Sequence, residues 1–94
     1  MLILPNSLLI YNVVDIHSQL RELLNSNSEA LELDASEVQE LDAAGVQLLC
    51  SLVKTCEANG IELAVKNCSD SYLNAITLFG DVSLINRSEV KSHG

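Results

Sequence analysis

Two short aliphatic runs open the chain, Met1–Leu4 and Leu8–Tyr11, with Pro5-Asn6-Ser7 between them. Turn-forming residues flanked by apolar runs predict a β-hairpin over residues 1–13. From Val14 the spacing changes, and Ile16, Leu20, Leu23 and Leu24 fall on one face of a helix. Asn12 or Asp15 can cap that helix, and Asn25-Ser26-Asn27-Ser28 ends it with loop chemistry. Leu31 and Leu33 then alternate with Glu32, which is the period of a strand. Asp34–Leu41 reads as a polar connection with one apolar anchor, Val38.

The next element opens at Asp42, which can cap its start, and carries Val46, Leu49, Leu52, Val53 and Cys56 on one face. It ends at Asn59-Gly60, where a left-handed C-terminal cap belongs. Ile61–Val65 alternates as a further strand. Ser69 or Asp70 can cap a third helix, with Leu73, Ile76 and Phe79 on its face and Gly80 closing it. Asp81–Ile85 predicts a short strand or a packed turn, and the polar residues 86–94 predict a frayed tail. The order is a hairpin followed by α-β-α-β-α. Strands separated by helices require parallel crossovers, so the expected class is α/β: two layers, with helices packed on a mixed sheet of about four strands. A chain of 94 residues makes one domain.

At this size folding hides only about 60–65% of the surface of the unfolded chain, so the core must be dense in aliphatics. It is: 48% of residues are hydrophobic but only 3% aromatic, which leaves Leu, Ile, Val and Ala to do the packing and argues against disorder. The net charge of −8 disfavours nucleic acid, because five Lys and Arg cannot supply the clustered cations that phosphates demand. Anionic membrane surfaces are disfavoured for the same reason. The start MLILPNSLLIYNVV lacks a basic leader and a small-residue cleavage site, and no apolar run approaches the roughly 20 residues of a membrane span. Cys50, Cys56 and Cys68 form no CxxC and have no nearby histidine pair, so zinc is not expected and a reducing, cytoplasmic setting is.

Catalytic chemistry finds little support. Neither His17 nor His93 has a cysteine or carboxylate at triad or metal-ligand spacing. No GxxxxGK[ST] or GxGxxG is present, so no phosphate-cradling loop and no cofactor are expected. Glu37, Glu40 and Asp42 read as a solvated acidic loop with Asp42 as helix cap, not as a general acid–base pair, which would need burial in a cleft. The informative place is the helix start. Ala43 and Ala44 leave it low and uncluttered, while Gly45 costs up to about 1 kcal/mol relative to Ala inside a helix. That cost implies close approach of another backbone, from a docking partner or from the chain's own strands.

Leu31-Glu32-Leu33-Asp34, then Ala35-Ser36-Glu37-Val38, then Leu41-Asp42-Ala43-Ala44-Gly45-Val46 together resemble the core signature of the STAS domain, a family named for sulphate transporters and anti-sigma factor antagonists. The resemblance runs from about Ala30 to Ile85. It implies a STAS-like fold in a bacterial, non-enzymatic protein-interaction module of regulation and signal transduction. In its regulatory members the residue after the signature Asp is a Ser or Thr. A partner kinase, the anti-sigma factor, phosphorylates it and the domain lets go. The matching position here is Ala43, which has no hydroxyl. Ser36 lies in the preceding connection and Ser51 well inside the helix, so neither stands in the acceptor's place. The resemblance therefore implies an anti-sigma factor antagonist-like module without that phosphoswitch, binding its partner through Ser36, Glu37, Val38, Asp42, Ala43, Ala44, Gly45 and Val46. The partner would be an anti-sigma or serine kinase. Compact STAS proteins also serve as accessory subunits of lipid-transport ABC ATPases or as partners of chemotaxis and two-component kinases. The short chain and Gln47-Leu48-Leu49 look like these compact forms.

Overall fold

Alternating leucines and valines place a flat layer of strands against helices whose apolar faces repeat every three to four residues. The computed structural model describes residues 2–25, 29–80 and 82–90, with the side chains of Val82 and Val90 excepted. In chain order its elements are β1 (Leu2–Ile3), β2 (Ser7–Leu8), α1 (Val13–Leu24), β3 (Ala30–Asp34) and β4 (Glu40–Leu41). Then come α2 (Ala43–Ala58), β5 (Glu62–Cys68), α3 (Asp70–Phe79), α4 (Val82–Asn86) and β6 (Ser88–Val90). Strands β1, β3, β5 and β6 form one parallel sheet in that order, and β2 and β4 form a separate parallel pair. The long central pairing sets Leu31 beside Leu63 and Leu33 beside Val65, all four buried. Met1, Ser26-Asn27-Ser28, Asp81 and residues 91–94, His93 among them, lie outside the described residues.

The α/β class with helices packed on a four-stranded sheet stands, but the N-terminal hairpin does not. Strands β1 and β2 pair with β3 and β4, both parallel, and not with each other. Pro5-Asn6 therefore bends the chain without reversing it. The Asn6 carbonyl accepts from the amides of Gln39 (2.7 Å) and Glu40 (3.0 Å), and the Leu4 amide donates to the Asp34 carbonyl at 2.8 Å. The N-terminal segment thus runs alongside the β3–β4 segment, and Leu4 and Leu8 are both fully buried there. Consequently the sheet is parallel among the described residues, not mixed.

Helix α2 is the hub, touching α1, α3, α4 and strands β2, β4 and β5. Val46, Leu49, Leu52, Val53 and Cys56 are all buried, as their spacing predicts, and Gly60 takes the left-handed φ of +67°. In α1, Ile16 and Leu20 are buried and Leu23 and Leu24 half-buried. Asn12 stands at the start of α1 but leaves its amides uncapped. Its side chain instead accepts from Leu9 N (2.8 Å) and donates to the Ser7 carbonyl (2.7 Å), closing the β2–α1 turn.

The C-terminal third differs most from the reading of the pattern. Ser69 caps α3 through Tyr72 N, but the buried face is Tyr72, Ala75 and Ile76, while Phe79 is 60% exposed. Tyr72 goes inside because its hydroxyl has a partner, Ser88 Oγ at 3.3 Å, so its ring can be buried without orphaning the polar tip. Residues 82–86 form helix α4 with Leu84 buried, where a strand or turn was expected. Ser88–Val90, expected to fray, pairs with β5, and Lys66 and Glu89 form an ion pair at 3.1 Å across that edge. The predicted polar tail is thus a strand at least as far as Val90.

Tyr72→Phe should therefore cost about 0.5–1.5 kcal/mol in chemical denaturation, the worth of one hydrogen bond. The loss should appear as faster amide exchange at Ser88 and Glu89, with β3 amides unchanged.

Candidate functional site

The start of α2 is built by one carboxylate and one missing side chain. Asp42 Oδ1 accepts from Gly45 N at 3.0 Å, capping the helix, and Oδ2 accepts from Ile10 N, also at 3.0 Å. The Asp42 amide donates in turn to the Leu8 carbonyl at 3.3 Å. One residue thus ties the β2–α1 turn to the helix start across 32 positions of sequence. The Gly45 amide first, and the Ile10 amide second, hold the Asp42 carboxyl below the ordinary carboxylate range.

Gly45 is buried, and what approaches it is the chain itself. A Cβ placed there would run into the Leu8 carbonyl oxygen and stand 2.6 Å from Leu41 Cδ1. The glycine is therefore required by internal packing, and Leu41, half-buried, closes over it.

The preceding connection is held by other anchors. Asp34 Oδ1 accepts from Ser36 N at 2.8 Å, and Asp34 Oδ2 accepts from Asn67 Nδ2 at 3.2 Å. Asn67 has φ +54°, a conformation Asn tolerates better than most residues, and it lies where the β5–β6 register shifts. Ser69 Oγ donates to the Val38 carbonyl, and Ser69 N donates to the Ala35 carbonyl at 3.2 Å.

Among the eight residues expected to bind a partner, only some are available. Glu37 and Ala43 are exposed, and Ser36, Asp42 and Ala44 are half-buried. Val38, Gly45 and Val46 are buried, so the two valine side chains support the surface from below. Sequence reading missed the apolar residues beside them. Ile10 is 66% exposed, Tyr11 89% and Val14 72%. The Asp42–Ile10 bond sets the first of these against the helix start, and Val14 lines a groove of about 360 Å³ with Ala44, Gln47 and Leu48. A signal existed: Val14 is two residues from Ile16 and so falls off the apolar face of α1.

Glu37 and Glu40 are exposed and Asp42 is committed to two backbone amides, an arrangement without a poised proton donor–acceptor pair. Cys56 and Cys68 are buried, which pushes both thiols up, Cys68 to about 11; they act as small apolar residues. Among the described residues, no three His, Cys, Asp or Glu side chains gather where they could hold a metal ion. No helix there is long and apolar enough to cross a membrane.

A family model described as "Mlab, STAS domain" matches residues 1–84. The chain belongs to the STAS-domain family. The crystal structure of a sulfate transporter family protein from Wolinella succinogenes shares the fold of this STAS domain, with a TM-score of 0.69 at 20% identity. The match covers 96% of this chain and 76% of that one. No curated protein sequence matches significantly. Ala43 is exposed in the first turn of α2.

Gly45→Ala should destabilise the domain by about 1–3 kcal/mol, because overpacking against a backbone oxygen outweighs the gain in helix propensity of about 1 kcal/mol. Urea unfolding checks the sign. Asp42 has a lowered folded pKa, so its contribution is complete above the ordinary carboxyl pKa and is lost as pH falls through the folded value. Asp42→Asn should accordingly be less stable than wild type at neutral pH, and the gap should close in acid.

Proposed function

We propose that this STAS domain is a non-enzymatic docking module that binds a protein partner through the start of α2. It resembles an anti-sigma factor antagonist, without phosphorylation control at Ala43. The observation that carries the reading is the exposed apolar patch at that helix end. Ala44 and the exposed Val14 line one groove, exposed Ile10 is bonded through its amide to Asp42 directly before exposed Ala43, and exposed Tyr11 follows Ile10 in the same turn. Exposed apolar residues grouped around a rigid, low surface are what a protein interface needs at its centre. STAS domains generally are non-catalytic and mediate protein–protein contacts. The net charge of −8 favours a partner with a basic rim around its apolar contacts. Three free thiols suit a reducing cytoplasm.

An anti-sigma or serine kinase is the first partner class. A phosphoryl group would add about −1.5 to −2 charges at this patch and oppose docking, and Ala43 has no atom to receive it. The second reading is an accessory subunit of a lipid-transport ATPase, or of a chemotaxis or two-component kinase. It is favoured by the description of the matching family model, "Mlab, STAS domain".

Ala43→Glu tests the docking surface. The fold should survive, since a helix N-terminus welcomes an acid, while affinity for the captured partner should fall at least about tenfold. Unchanged affinity places the interface elsewhere. ATP added to a complex with a kinase partner should not release the domain, and release with phosphate on it would refute the missing switch. Deletion that weakens the envelope assigns the transporter arm, and deletion that alters motility alone assigns chemotaxis.

A further inference from the structure

Below the docking patch, between α1 and α2, lies a chamber of about 250 Å³. Its floor is four leucines: Leu20 and Leu52 are buried, Leu24 and Leu48 half-buried. Arg21, His17, Ser51 and Thr55 form its rim. The groove beneath the docking patch, about 360 Å³, continues it and shares His17, Leu48 and Ser51. We infer that this chamber binds a single-chain anionic amphiphile, in its simplest form a fatty carboxylate. The chamber's floor and guanidinium lie outside the proposed interface, while the groove that continues it shares Val14 and Ala44 with that interface, so Arg21 variants test the inference separately from Ala43→Glu.

Charge carries the argument. The chain has 13 Asp and Glu against five Lys and Arg, yet among the described residues no carboxylate lines the chamber or the groove, and an arginine and a histidine do. Lys66 and Arg87 are neutralised by Glu89 and Glu57 at 3.1 and 2.9 Å, whereas Arg21 makes no ion pair with any described residue. Its place in the last turn of α1 helps that helix, as any cation there would. Only its position over a leucine floor asks for an anion with an apolar body. The Thr55 hydroxyl donates to the Ser51 carbonyl at 3.0 Å, leaving the Ser51 hydroxyl, the His17 ring and the guanidinium as headgroup donors.

Size decides what kind of amphiphile. A helix with side chains is about 10–12 Å across, too wide for a chamber of this volume. Small-molecule sites of roughly 300–1,000 Å³ are mostly apolar with a few placed polar groups, and the chamber with its continuation falls in that range. An alkyl chain along the leucines, with its carboxylate at Arg21, satisfies both.

Titration of the ¹⁵N-labelled full chain with octanoate, decanoate and dodecanoate, each below its micelle concentration, tests the site. Saturable shifts should centre on His17, Arg21, Leu48, Ser51 and Thr55, and affinity should rise up to about fourfold per added methylene. Decanol should bind at least tenfold more weakly than decanoate. Arg21→Gln and Arg21→Glu, at an exposed site, should stay folded with only a small fall in melting temperature, larger for Glu at the helix C-terminus, and lose decanoate binding at least tenfold, and Arg21→Glu should gain binding of decyltrimethylammonium. Shifts that are absent or scattered over the surface would overturn the proposal. So would equal binding of decanol, or decanoate binding unchanged in both variants. Shifts at these residues produced by an acidic amphipathic peptide but not by decanoate would replace it with a protein-binding groove.

Discussion

The Leu8 carbonyl occupies the space where a side chain on residue 45 would stand, and the way the N-terminal segment, α2 and the sheet fit together follows from that approach. Strand β2 can lie over the first turn of α2 only because Gly45 presents bare backbone. Asp42 then fastens the arrangement from both sides, taking the Ile10 amide with one oxygen and the Gly45 amide with the other. With the turn so held, Ile10 and Tyr11 are carried out to the surface, and α1 is placed so that a groove opens between it and α2. The proposed docking surface and the leucine chamber both descend from this junction.

Most of the architecture is written in periodicity. The α2 face and the Leu31/Leu33 and Leu63/Val65 alternations appear in the structure as their spacing requires, because burial on one side is a local property of residue order. Strand partners are not local. Two apolar runs around Pro5-Asn6 look like a hairpin when only neighbours are considered. Their actual partners, β3 and β4, lie about thirty residues on, and nothing in the first 13 residues encodes that distance. Tyr72 and Phe79 make the same point: which aromatic goes inside is decided by Ser88, a hydroxyl contributed by a strand sixteen residues away.

The site was legible in part for the same reason. Asp42 as cap and Ala43 as an open first-turn position are properties of a helix start and could be read from the sequence. The choice between a partner's approach and the chain's own at Gly45 required the path of β2, and the structure decides for the chain's own. Val38 and Val46 sit beside exposed residues in the sequence yet point inward, and Ile10, Tyr11 and Val14 do the reverse. Adjacency in sequence is a poor guide to adjacency on a surface where several elements meet.

The junction at Asp42 is most directly tested by amide hydrogen exchange at Ile10, a residue 66% exposed in a surface turn whose amide is nevertheless bonded to a carboxylate 32 positions away. The account predicts that Ile10 and Gly45 are protected in the native protein. In Asp42→Ala both should exchange rapidly together, while Leu33 and Val65 in the sheet keep their protection. Exchange of Ile10 at the free-chain rate in the native protein, or continued protection without the Asp42 carboxylate, would contradict it.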